Sequence, residues 1–111
     1  MKIAVIGSRS FNDYNLMKTV LAGFDIAVII SGGARGADTL GRRYAVENGI
    51  KIVEYLPEYD KYGRGAPLVR NKQIVDASDY VIAFWDGKSR GTKHTLEYAK
   101  KQGKQVNVIR F

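Results

Sequence analysis

The sequence predicts an α/β fold: one Rossmann-like three-layer domain over residues 1–111, with a five-stranded parallel sheet in the order 3-2-1-4-5 and helices on both faces. Three observations carry that expectation. Five short runs rich in Val and Ile begin roughly 25 residues apart, too far for hairpins. The stretches between them show helical spacing and helix-stop residues. One run, Ile26-Ala27-Val28-Ile29-Ile30, is continuously apolar, as in a strand covered on both faces.

The expected strands are Lys2–Ile6, Ile26–Ile30, Ile50–Tyr55, Tyr80–Trp85 and Gln105–Ile109. The first helix starts near Asn12 or Asp13, either of which can cap it. It buries Leu16, Val20 and Leu21 and stops at Gly23. A second opens at Gly36-Ala37-Asp38, presents Leu40, Tyr44 and Ala45 on one face, and ends at Asn48-Gly49. Pro67 suits the first turn of a third, which carries Ile74, Val75 and Ala77. The fourth follows Gly91-Thr92, buries Leu96 and Ala99, and ends at Gly103. Residues 56–65 form the longest polar connection, flanked by Tyr55, Tyr59 and Tyr62, which suit a lid or a subunit contact.

Composition excludes several classes of function. Hydrophobic residues at 45% and charged residues at 26% match a globular chain and argue against disorder. There is no apolar run of about 18 residues, so no membrane span is expected. No signal peptide is apparent, which makes a cytoplasmic location the expectation. The lack of Cys removes disulfides and thiolate chemistry. The one histidine, His94, cannot build a His-rich cluster, so neither metal nor cofactor is expected. The net charge is +7. It is uneven: residues 56–111 carry 11 basic and 6 acidic side chains, against 7 and 5 in residues 1–55. Such a balance draws phosphorylated small molecules or polyanions.

In a sheet of this order, ligands bind beyond the strand carboxyl ends, where the winding reverses between strands 1 and 4. The unusual residues collect there. Gly7-Ser8-Arg9-Ser10 follows strand 1, Ser31-Gly32-Gly33-Ala34-Arg35-Gly36-Ala37-Asp38 follows strand 2, and Asp86-Gly87-Lys88-Ser89-Arg90-Gly91-Thr92 follows strand 4. Gly32, Gly33 and Gly36 lack Cβ atoms, so backbone amides there can approach an anion closely. The helix start behind them adds free donors and partial positive charge. Arg35 can make a charge-assisted bond to phosphate or carboxylate. Asp38 can cap its helix or accept from a sugar hydroxyl.

Thr92 can cap the fourth helix or bind an anion, with Ser89 and Arg90 as further donors. Arg9 lies between these loops. Arg70 and Asn71 reach the rim of the site or form a solvated helix face. Trp85 can stack on a base or pack in the core. His94 is a general acid or base, or a surface side chain. Neither the dinucleotide fingerprint nor the P-loop is present, which disfavours an ordinary NAD enzyme or NTPase. The candidate ligand-binding set is therefore Gly7, Ser8, Arg9, Ser31, Gly32, Gly33, Ala34, Arg35, Gly36, Asp38, Arg70, Asn71, Trp85, Ser89, Arg90, Gly91 and Thr92, with no catalytic residue.

The Ser31–Asp38 run, with Ile6-Gly7-Ser8-Arg9, Arg70-Asn71 and Ser89-Arg90-Gly91-Thr92, resembles the SLOG superfamily, and within it the small YspA/YpsA-related proteins. The resemblance implies a Rossmann-like domain that binds nucleotides or nucleotide-derived molecules. Its ligand loops map onto Gly7, Ser8 and Arg9, onto Ser31 to Gly36 with Asp38, and onto Gly91 and Thr92. More distantly, the chain is similar to the LOG phosphoribohydrolases, whose motif is Pro-Gly-Gly-x-Gly-Thr-x-Glu-Glu. The corresponding stretch here is Gly87–Thr95, and His94 and Thr95 replace both glutamates. Cleavage of an N-glycosidic bond needs a carboxylate or other base near the sugar. The chain is also similar to DprA, which binds single-stranded DNA, but shows no series of aromatic residues for base stacking.

The function expected is binding of a phosphorylated nucleotide or nucleotide-derived small molecule, as a sensor or a sequestering module. Nucleotide phosphoribohydrolysis and single-stranded nucleic-acid binding are the alternatives. No effector is expected within residues 1–111, and a homo-oligomer is the expected assembly.

Overall fold

The computed structural model describes residues 1–111. Strands β1 (Lys2–Gly7), β2 (Val28–Ser31), β3 (Lys51–Glu54), β4 (Tyr80–Trp85) and β5 (Gln105–Arg110) alternate with helices α1 (Tyr14–Leu21), α2 (Ala37–Glu47), α3 (Tyr59–Tyr62), α4 (Ala66–Ala77) and α5 (Arg90–Lys101). All strand pairs are parallel and the order is β3-β2-β1-β4-β5. Both the class and the strand order match the expectation.

The alternation of side chains along β1 makes the three layers. Ile3 and Val5 point to one face, where they join Met17 and Leu21 of α1 and Tyr44 and Ala45 of α2. Ala4 and Ile6 point to the other, where they meet Ile74 and Val75 of α4 and Leu96 and Ala99 of α5. The central strands are thus buried on both sides, which explains their continuous apolar runs. Each fully buried Ile or Leu contributes about 1.5–3 kcal/mol, so Val5→Asp or Ile82→Asp would disrupt the fold.

Several boundaries differ from the expectation for identifiable reasons. Ile26 packs against the core but lies outside β2, whose pairing with β1 begins at Lys2 and Val28. The α1 helix is capped by Asp13, whose Oδ1 accepts from the Leu16 amide at 3.1 Å. Its buried stripe is Tyr14, Met17 and Leu21, with Leu16 and Val20 on the flank. The long polar connection contains α3 and a 3-10 turn at Gly63–Gly65. The α5 helix starts at Arg90, because Asp86 Oδ1 accepts from the amides of Lys88 and Ser89, both at 2.8 Å, and Ser89 becomes the cap. Thr92 consequently sits inside the first turn. No helix is long and apolar enough to cross a membrane.

Candidate functional site

A cavity of about 450 Å³ opens at the carboxyl ends of β1 and β4. The loops after β1, β2 and β4 converge on it, and the first turns of α2, α4 and α5 line it through Asp38, Pro67 and Leu68, and Gly91 and Thr92.

Ser8 fastens the three loops together. Its amide donates to the Phe84 carbonyl at 2.9 Å, and its carbonyl accepts from the amides of Phe11 at 3.1 Å and Ala37 at 3.4 Å. Its Oγ accepts from the Asp86 amide at 3.1 Å. Gly36 permits this closeness: a Cβ there would press on the Ser8 carbonyl and lie 2.6 Å from the Arg9 carbonyl oxygen. Its φ of 78° also disfavours any L side chain.

The loop after β2 is built around Asp38. The Ala34 amide donates to Asp38 Oδ2 at 3.1 Å. Burial pushes the Asp38 carboxyl up to about 6, opposed by the Ala34 amide, the Arg70 charge and the Gly32 amide. The Ala34 amide, expected from the sequence to face a ligand, is instead taken by Asp38.

Arg70 reaches across from α4 and is itself buried. Its Nη1 donates to the Gly32 carbonyl at 2.7 Å, and its Nε donates to Asn71 Oδ1 at 2.8 Å. A Cβ on Gly32 would collide with this guanidinium, 2.8 Å from its central carbon. Gly32 therefore makes room for Arg70. Burial lowers the Arg70 pKa, and the positive charge of Arg9 adds to that effect, while Asp38 and Tyr59 oppose it.

The wall from α5 supplies hydroxyls and amides. Ser89 Oγ and Thr92 Oγ1 lie 3.1 Å apart, and Thr95 Oγ1 donates to the Gly91 carbonyl at 2.8 Å. The first-turn amides of Arg90 and Gly91 have no acceptor within the helix. The space around the Gly91 Cα is open. Asp86, also on the wall, is held below the usual carboxylate range by the Ser89 and Lys88 amides.

Of the candidate residues, Gly7, Ser8, Arg9, Ala34, Asp38, Arg70, Asn71, Ser89, Gly91 and Thr92 line the cavity. Ser31, Gly32, Gly33, Arg35, Gly36, Trp85 and Arg90 do not. Ser31 is wholly buried, and Arg35 and Arg90 are exposed to solvent. The Trp85 indole donates to the Ser89 carbonyl at 3.0 Å, and the Arg110 guanidinium lies over its ring. Ile6, Ser10, Pro67, Leu68, Ile74, Asp86 and Thr95 line the cavity but were outside the candidate set. Two of them had a readable signal: Asp86 opens the loop after β4, and Thr95 lies one turn beyond Thr92. The described residues contain no group of three His, Cys, Asp or Glu able to hold a metal.

Comparison with known proteins agrees with this architecture. The chain is 31% identical over 122 residues to the Gene 61 protein of Mycobacterium phage D29, covering 99% of this chain and 95% of that protein. DprA from Streptococcus pneumoniae superposes with a TM-score of 0.84 at 24% identity, over 99% of this chain and 50% of its own. DprA from Helicobacter pylori, solved to show its single-stranded DNA binding mode, gives 0.76 at 25% identity, over 97% and 64%. This chain therefore spans about half to two-thirds of those solved chains. The model of the YspA, cpYpsA-related SLOG family matches residues 1–62, and with that match and the phage relative, the chain belongs to this family.

Proposed function

We propose that the cavity binds a phosphorylated nucleotide or nucleotide-derived small molecule, and that the protein acts as a sensor or sequestering module for it. The observation that carries this reading is Arg70. Its guanidinium is buried in the cavity wall, where the opposite charge of Asp38 and the like charge of Arg9 both act on it, and it has no carboxylate partner within ion-pair distance. The ion pairs of the molecule are Arg42–Glu54 and Arg43–Glu47, both elsewhere. Buried charges are as a rule paired, and an anionic ligand would supply the partner. Arg9, the hydroxyls of Ser89 and Thr92, and the amides at the start of α5 would complete the anion's shell. The volume falls within the range of about 300–1,000 Å³ usual for small-molecule sites.

Both cavity carboxylates, Asp38 and Asp86, are engaged by backbone amides, which favours binding over N-glycosidic hydrolysis. Thermal melting with AMP and ADP-ribose tests the reading, since a ligand that prefers the folded state raises Tm. Loss of that shift in Arg9→Ala supports it, and no shift at millimolar ligand counts against it. Release of free base from a panel of nucleoside monophosphates would instead establish hydrolysis.

A second reading, single-stranded DNA binding, is favoured by the Helicobacter pylori DprA likeness and by the net charge of +7. It predicts oligonucleotide affinity that falls steeply with salt. The expected homo-oligomer is part of the same proposal and is measurable by light scattering.

A further inference from the structure

The Arg70 guanidinium is aimed by two bonds, and these are all that it makes to the protein. Nη1 donates to the Gly32 carbonyl at 2.7 Å, and Nε donates to Asn71 Oδ1 at 2.8 Å. Both acceptors are neutral oxygens. They fix the plane of the guanidinium and leave its charge uncompensated. A carboxylate in the place of the Asn71 amide would orient Arg70 equally well but would also neutralise it. Asn71 follows Arg70 on α4, is half-buried, and lines the cavity as Arg70 does.

The same bond settles which way the Asn71 amide faces. A guanidinium only donates, so the amide oxygen must point at Arg70. Nδ2 is thereby turned away from Arg70, and no protein group accepts from it. The unused polar atoms of the pair, Arg70 Nη2 and Asn71 Nδ2, are donors alone. Such a set suits the oxygens of a phosphate, which only accept. We propose that Asn71 is a further residue of the anion site, which orients Arg70 through Oδ1 without neutralising it and donates to the same phosphate through Nδ2. The inference rests on the reading given under Proposed function, and adds to it the residue that keeps the Arg70 charge available to a guest. The amide itself is what matters: exchanging Nδ2 for an oxygen turns the holder of Arg70 into its counter-ion.

The test is calorimetric titration of the full chain with AMP and ADP-ribose near neutral pH, paired with thermal melting of the free protein, in the wild type, Asn71→Asp and Asn71→Ala. Asn and Asp have similar helix propensities, so the first substitution leaves α4 intact. Asn71→Asp should weaken binding by about tenfold or more, because the new carboxylate neutralises Arg70 and repels the phosphate. Its Tm should equal or exceed that of the wild type, because the buried guanidinium gains a partner. Asn71→Ala should weaken binding by about threefold to tenfold. The opposite movement of affinity and Tm in Asn71→Asp separates this role from packing, which would move the two together. An Asn71→Asp variant that binds within about twofold of the wild type, or that melts below it, overturns the inference and leaves the anion site standing. So does wild-type affinity in Asn71→Ala. Absence of binding of both ligands to the wild type removes the underlying reading as well.

Discussion

Arg70 on α4 donates from Nη1 to the Gly32 carbonyl at 2.7 Å, joining the helix on one face of the sheet to the loop that leads to the helix on the other. This bond gives Gly32 a packing role and holds the guanidinium at the cavity. Gly32→Ala should displace Arg70 and destabilise the fold by about 1–3 kcal/mol, since a buried carbonyl loses its donor. Urea denaturation measures it, and an unchanged midpoint would refute the packing role. Arg70→Lys keeps the charge but not the planar fork, and should weaken phosphate-ligand binding by roughly tenfold.

Gly36→Ala should be more damaging than Gly32→Ala. Its Cβ would meet backbone oxygens of Ser8 and Arg9, which cannot swing aside as a side chain can, and its φ of 78° adds strain. We expect a loss on the order of 3 kcal/mol or failure to fold. Soluble expression and thermal melting check this. A near-native Tm would mean that the first two loops are not in contact.

Ser8→Ala removes the acceptor of the Asp86 amide. The cost should be about 1–2 kcal/mol. Amide exchange at Asp86 should accelerate more than exchange in β5, because the lost bond fastens the loop after β4. Uniform acceleration across the sheet would contradict that assignment.

Asp38 sets a pH dependence whose sign is fixed. Its carboxyl lies at about 6 in the fold against an ordinary value of 3.8. Between those values the folded chain holds a proton that the unfolded chain has released. Its contribution to stability is therefore full below 3.8 and is lost as pH climbs through about 6. The stability difference between wild type and Asp38→Asn should shift against the wild type by up to about 3 kcal/mol across that window. Urea midpoints at a series of pH values measure it, and parallel curves for the two proteins would refute it. ADP-ribose, whose pyrophosphate charge is constant over this range, should bind more weakly once Asp38 is ionised, and Asp38→Asn should remove that step.

The sheet was legible because strand runs, glycine stops and loop composition act locally. Val81 to Phe84 read as a buried strand from their own side chains, and the strand order followed from crossover handedness. The site was legible in part. Ser8, Arg9, Ser89, Gly91 and Thr92 sit where strand ends must place them. The function of Gly32 was not readable, because its partner Arg70 lies 38 residues away on another helix. Trp85 stayed open between a stacking and a core role for a similar reason: its indole donates to a carbonyl in the next loop, a bond set by the turn at Asp86. Arg35 drew attention through its motif, yet the Ala34 amide beside it closes on Asp38 and its side chain stays in solvent.

The most direct test of the account is calorimetric titration of ADP-ribose and AMP into the wild type and Arg9→Ala, whose exposed side chain can be removed without disturbing the core. We predict one site per chain in the wild type and affinity weakened roughly tenfold in Arg9→Ala. No heat of binding at millimolar ligand, or equal affinity in both proteins, would contradict the claim that the loops after β1, β2 and β4 form an anion-binding cavity.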